Sequence, residues 1–177
     1  MATYELLHPT ALGEFSITMR GEDDFGCRLF VDDASAELTV DAVDIDIDLD
    51  VRRFDRIAPD YLQTTKGVPL FSETFVAVMP AAFADDVTVV PASLHLRGGD
   101  RTFLAGRIER TLELIDTENS AFSDIRGIAI LTRPAFAPLT EKYMLARDVR
   151  FRTYMFASED LITHAQRAGL AVEFLPY

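Results

Sequence analysis

The sequence predicts an α+β protein: a mostly antiparallel sheet with about three helices packed on it and a strand-rich N-terminal third. Three features carry that expectation. Apolar and polar residues alternate over residues 15–19 and, more regularly, over residues 43–52. A helical spacing of apolar residues runs from Leu104 to Ile115. Helix-start signals stand at Ser72-Glu73 and Ser158-Glu159-Asp160, with a stop signal at Gly169. Strands early and helices interspersed later suit an α+β arrangement.

The chain has 177 residues, which one domain accommodates, and it is long enough to bury a core without disulfides or metals. No repeat, low-complexity linker or Pro/Gly-rich hinge divides it, so residues 1–177 are read as a single domain. Within it, residues 1–60 are acidic and strand-rich, and residues 61–177 form the α+β part. Net charge is −12, of which residues 1–60 supply −10 through fifteen acidic residues against five arginines. That balance disfavours nucleic acid, whose binding depends on cations displacing phosphate counterions, and disfavours anionic membranes for the same reason. A basic protein partner is favoured, because complementary fields raise association rate and specificity. Cys27 is the single cysteine and has no partner for an internal bridge. Neither a signal peptide nor an apolar run of about 18 residues is evident. A cytoplasmic location is expected.

Along the chain, Phe15, Ile17 and Met19 alternate with Ser16 and Thr18, and an apolar run covers Cys27 to Val31. The turn-rich Gly21 to Gly26 between them suggests a hairpin. In the next strand Val43, Ile45, Ile47, Leu49 and Val51 face a core, while Asp44, Asp46, Asp48 and Asp50 face water. Neighbouring carboxylates on that face lie about 6.6 Å apart. The row reads as a solvated or aggregation-blocking face, as a patch for a basic partner, or as a calcium loop. Calcium is the poorest of the three, since Leu49 stands where such a loop needs glycine.

Beyond Pro59 the pattern changes. Val68 to Phe71 is a short apolar run, and Ser72 caps a helix that Pro80 limits. Val87 to Leu96 reads as a strand interrupted at Pro91. Gly98-Gly99-Asp100 is expected to open a long helix with a Leu104, Ile108, Leu112, Ile115 stripe, ending near Glu118-Asn119. Gly127 to Leu131 and Val149 to Phe156 read as strands, with a loop between Pro134 and Pro138. A helix follows from Leu161 to a Gly169 C-cap, then a short strand from Ala171 to Leu175.

Residues with catalytic potential are scattered. No nucleophile elbow, metalloprotease helix or Cys/His metal spacing is found, and Gly21 to Gly26 lacks the Lys and Ser/Thr that a phosphate-binding loop requires. His8, His95 and His164 are far apart in sequence, and Arg152 in Val-Arg-Phe-Arg is expected to form an internal ion pair. No catalytic residue, cofactor or metal is assigned.

An ordered set of segments resembles a family of immunity proteins encoded beside bacterial polymorphic toxins, the eleventh named immunity family, formerly a domain of unknown function. The segments are Pro69-Leu-Phe-Ser-Glu-Thr-Phe75, Leu114-Ile-Asp116-Thr-Glu-Asn-Ser120-Ala-Phe122, Phe151-Arg152, and Ser158-Glu-Asp-Leu161 with Ala168-Gly169-Leu170 and Phe174. The resemblance covers roughly residues 60–177. It implies a cytoplasmic, non-catalytic antidote that binds a cognate toxin and blocks it sterically. Ser72, Asp116, Ser120, Arg152, Ser158 and Gly169 are the matched structural positions. Asp44, Asp46, Asp48 and Asp50 are the expected toxin contacts, on charge alone. A small enzyme or ligand-binding domain using His8, His95, His164 and Arg152, or an acidic adaptor for a basic protein, are the other readings.

Overall fold

The computed structural model describes residues 3–21, 28–32, 37–125 and 128–176. It is a mixed α and β structure built on two sheets and a separate hairpin. The strands are β1 (Thr3–Leu7), β2 (Ile17–Met19), β3 (Val43–Asp50), β4 (Tyr61–Gln63), β5 (Pro69–Phe71), β6 (Val87–Arg97), β7 (Gly99–Ile108), β8 (Thr111–Leu112), β9 (Ala121–Ile125), β10 (Ile128–Arg133), β11 (Leu145–Asp148), β12 (Met155–Ser158) and β13 (Glu173–Pro176). The helices are α1 (Val51–Ile57), α2 (Glu73–Val78), α3 (Ala81–Asp86) and α4 (Glu159–Ala168).

A six-stranded sheet has the order β2-β3-β6-β7-β5-β4, and a five-stranded sheet the order β13-β1-β12-β11-β8. Each is antiparallel apart from one parallel pair, β3 with β6 and β11 with β8. The expectation of one sheet under about three helices is therefore corrected to two mixed sheets, the β9–β10 hairpin, and four α-helices among the described residues. The acidic first third is woven into both sheets. β1 lies between β12 and β13, and β3 lies against β6.

Alternation decides the faces of β3. Ile45, Ile47 and Leu49 are buried and the four aspartates that alternate with them, Asp44, Asp46, Asp48 and Asp50, are exposed, as the period of two requires. Their apolar side joins Ile17, Met19, Leu70, Leu94, Phe103 and the Leu29-Phe30-Val31 segment in one core cluster. A second cluster joins the two sheets: Phe71, Val87 and Ile108 of the first meet Leu6, Leu145 and Met155 of the second, closed by Phe75, Phe83 and Leu161 from the helices. A third holds Leu114, Ile115, Leu131, Tyr143 and Phe156 beneath the β9–β10 hairpin.

The largest departure from the sequence reading is at residues 99–115, which form strands β7 and β8 instead of a helix. Leu96 pairs with Gly99 across a two-residue Arg97-Gly98 turn, and Gly98 has φ +95°. That turn geometry suits a tight hairpin and strains any residue with a Cβ. The chain then zips back along β6 over ten paired positions, so tertiary pairing overrides the helical spacing. β6 runs through Pro91 unbroken. β3 begins to pair only at Ala92, so the proline sits where β6 has a single neighbour.

Two further readings are corrected. β2 pairs with β3, and Arg28–Asp32 forms a π-helical turn, so the expected hairpin between residues 15–19 and 27–31 does not form. Cys27 and residues 22–26 lie outside the described residues, as does Gly127. The strand expected over residues 149–156 is replaced by a turn holding Phe151 and Arg152 that follows β11 and leads into β12, because Asp148 gathers the turn amides around its carboxylate.

Candidate protein-binding surface

The fold carries two acidic surfaces, and on one of them each aspartate of the β3 row has a partner within the chain. On the outer face of the six-stranded sheet, Asp46 takes a bidentate pair from Arg20, Oδ1 with Nη2 at 2.8 Å and Oδ2 with Nε at 3.0 Å. Asp44 meets His95 Nε2 at 2.8 Å, and Asp48 lies 3.5 Å from Arg97 Nε. Asp50 is the N-cap of α1, its carboxylate accepting from the Arg52 amide at 2.9 Å. The row that looks like four bare charges in sequence thus has a partner for each within the fold. Neither Arg20 nor His95 is close to β3 in sequence, so strand pairing alone brings them there.

The second surface is a groove of about 640 Å³ between the chain leaving β8 and the segments at 137–141 and 148–150. Glu113, Asp116, Glu118 and Glu141 line it, with Arg150 the one arginine or lysine on its wall among the described residues. Leu139, Pro138 and Val149 give it an apolar floor, and Val149 is 44% exposed.

Two carboxylates hold this groove in shape. Asp148 is 1% exposed and accepts four backbone N–H groups: Leu114 at 3.0 Å and Ile115 at 2.8 Å on Oδ2, Arg150 at 2.8 Å and Phe151 at 2.9 Å on Oδ1. It therefore ties both walls together, sharing the Leu114 amide with the Leu112 carbonyl and satisfying the Ile115, Arg150 and Phe151 amides. Asp116 organises the rim. Its Oδ1 accepts from the Glu118 and Asn119 amides, and its Oδ2 from the Asn119 side chain at 2.7 Å. Those donors, the Asn119 side chain first, hold the Asp116 carboxyl below its ordinary range, so it stays an anion. Glu118 rides on this turn at the mouth of the groove. Arg150 reaches Thr117 Oγ1 at 3.2 Å and stands 3.9 Å from Glu113.

The other matched positions are structural in the same sense. Ser120 Oγ donates to the Asp116 carbonyl at 2.6 Å and accepts the Ala135 amide at 2.8 Å, fixing a turn where a helix end was expected. Ser72 caps α2 by accepting the Phe75 amide at 2.9 Å and donates to Asp60 at 2.5 Å. Ser158 caps α4 through the Leu161 amide, and Gly169 closes that helix at φ +68°. Arg152 binds the Asp32 carbonyl and Thr111 Oγ1, so the expected ion pair with a carboxylate is replaced by neutral acceptors.

His8, His95 and His164 occupy three separate places. His8 packs edge-on against Phe15 after β1, His95 lies on the outer sheet face, and His164 is on α4. Arg152 is in the turn before β12. Among the described residues no group of three His, Cys, Asp or Glu side chains is placed to hold a metal ion. Among them, too, no helix is long and apolar enough to cross a membrane.

Sequence reasoning missed the groove because its carboxylates come from separate segments. Glu113, Glu118 and Glu141 are ordinary isolated acids in the sequence, whereas the β3 row is conspicuous there. No family model matches the chain, and no curated protein sequence matches it.

Proposed function

We propose that this protein is a non-catalytic immunity protein that binds a cognate, cationic bacterial toxin in the cytoplasm and blocks it sterically. One observation carries the choice of surface: among the described residues the Glu113, Glu118 and Glu141 rim shares a groove with a single arginine, Arg150, on walls pinned by Asp148 and Asp116. A preordered acidic groove with an apolar floor suits arginine and lysine side chains, whose stems lie on apolar surface while their heads reach carboxylates. Ordering the walls in advance lowers the entropy lost on binding. The partners that Asp44, Asp46, Asp48 and Asp50 have within the fold favour this groove over the β3 row as the contact surface. The resemblance over residues 60–177 supplies the class of partner.

The test is coexpression with the product of a neighbouring toxin-like gene, followed by binding kinetics at low and high salt. Protection and a complex whose association slows with salt are expected. Reversal of Glu113, Glu118 and Glu141 to Lys should slow association and flatten its salt dependence. Absence of both protection and complex ends the immunity reading. A complex whose association ignores the three reversals removes the groove from the interface.

A further inference from the structure

His95 occupies the middle of a charge row that crosses four chain segments of the six-stranded sheet. In register, Asp46 of β3 lies opposite it on one side and Asp100 of β7 on the other. Arg20, just beyond β2, holds Asp46 with both its Nε and Nη2, and the His95 ring is taken by Asp44 instead. Its Nε2 is 2.8 Å from Asp44 Oδ1, and its Nδ1 is 3.2 Å from Asp100 Oδ1. A neutral imidazole has one N–H and one lone pair, and an ionised carboxylate only accepts. With a carboxylate at each ring nitrogen, the neutral ring must point a lone pair at one of them. Only the imidazolium donates to both.

We propose that His95 is a proton-operated staple, which ties β3 to β7 across β6 when protonated and releases one carboxylate when it loses the proton. The face is then looser and more anionic. Among the described residues, the charged groups facing the ring are Asp44 and Asp46 from β3, Asp100 from β7 and Arg20 beyond β2. Arg97, two residues along β6 itself, is engaged with Asp48. The hydrogen bond from Asp44, then that from Asp100, raises the ring's proton affinity; desolvation and Arg20 oppose them, and the net direction is upward. A raised affinity in the fold keeps the staple closed below the ordinary imidazole range. It opens as pH rises through the raised value. One unit of charge on this face then depends on pH, which changes how the face steers a charged partner.

The experiment is a long-range proton–nitrogen NMR titration of the imidazoles in the full chain, with His95 assigned by its absence in H95Q. The expected result is a doubly protonated His95 ring that titrates above the ordinary value of about 6.5. In D44N and in D100N its midpoint shifts downward toward that value. Amide exchange in β3 and β7 beside His95, corrected for its intrinsic pH dependence, should speed up above the midpoint in the wild-type chain and stay level in H95Q. A neutral His95 tautomer at slightly acidic pH overturns the proposal, as does a midpoint that neither carboxylate variant moves. Should a variant fail to fold, the wild-type nitrogen shifts alone decide.

Discussion

Asp86 and Arg110 form an ion pair, Oδ1 to Nε at 2.8 Å, in which the carboxylate is buried and the guanidinium reaches solvent. The other carboxylate oxygen accepts the Met144 amide at 2.6 Å and the Leu145 amide at 3.4 Å. Asp86 ends α3 where β6 of one sheet begins, and Met144-Leu145 leads into β11 of the other. One side chain thus couples the two sheets. Asp86→Ala strands those amides and removes the anion, at an expected cost of about 3 kcal/mol. Arg110→Ala should cost less, since that charge is partly hydrated and Asp86 keeps its backbone donors. Urea unfolding of both variants checks the order, and equal losses would place the coupling elsewhere.

Asp148 makes a second strong expectation. Four backbone N–H groups, those of Leu114, Ile115, Arg150 and Phe151, converge on it, so its carboxylate is held by amide dipoles. Asp148→Ala takes the carboxylate acceptor from all four amides, of which Leu114 alone keeps the Leu112 carbonyl, and should cost about 3 kcal/mol. Asp148→Asn presents only one acceptor oxygen and should fall between. Under the function proposed above, the same variants should also weaken association with a cationic partner by loosening the groove, even where they fold. A denaturation midpoint unchanged in Asp148→Ala would refute its role as the groove's tie.

The sequence disclosed some of this well and some not at all. The β3 alternation, the Ser72 and Ser158 caps and the Gly169 stop are local, and each depends on spacing or on one side chain bonding its own helix. Residues 99–115 misled because Leu104, Ile108, Leu112 and Ile115 happen to fall at helical intervals, while the short Arg97-Gly98 turn was the better signal. Partners such as Arg20 for Asp46, or Asp86 for Met144, are set by strand order and are invisible to local pattern. So is the groove, whose acids meet only after β8 and β11 pair in parallel.

Two helix ends offer a matched pair of substitutions. Ala58 closes α1 in the left-handed region at φ +47°, where glycine is favoured, and Gly169 closes α4 at φ +68°. A Cβ built on Gly169 meets nothing within 4 Å, so any penalty there is conformational and not steric. Gly169→Ala should cost about 1 kcal/mol, and Ala58→Gly should cost nothing or stabilise by up to about 1 kcal/mol. Thermal unfolding would show the opposite signs. A stabilised Gly169→Ala would contradict the left-handed cap.

Salt and acid should distinguish the sheet-face pair Arg20–Asp46 from the buried contacts. Both side chains are more than half exposed, so Asp46→Asn should lower Tm slightly at low salt and scarcely at high salt. The Arg20 hydrogen bond holds the Asp46 carboxyl below its ordinary value of 3.8. With the folded-state value depressed, its contribution is present above the ordinary value and is lost as pH falls through the depressed one. Asp46→Asn should therefore differ from the wild type at neutral pH and converge with it in strong acid. A difference that persists in strong acid would assign the effect to packing.

His8 should make the protein acid-sensitive in a milder range. Its ring is partly buried and packs edge-on to Phe15 at 5.0 Å between centroids. Burial pushes its proton affinity down, and the Glu173 charge only partly opposes this. Glu173 is itself engaged, accepting the Thr10 amide at 2.8 Å and the Thr10 hydroxyl at 3.0 Å. With the folded-state value lowered, the unfolded chain binds the proton more readily just below about 6.5. Stability at this site is therefore full above that value and declines as pH falls through the window down to the lowered one, the reverse of His95. His8→Phe keeps an apolar ring against Phe15 and removes the titration. Its urea midpoint should fall less than that of the wild type between neutral pH and about pH 5. H95Q lacks the gain His95 gives near neutral pH and keeps the wild-type decline below about pH 6, where His95 is protonated folded or unfolded. Equal acid slopes for wild type and His8→Phe would mean that the buried ring does not set this response.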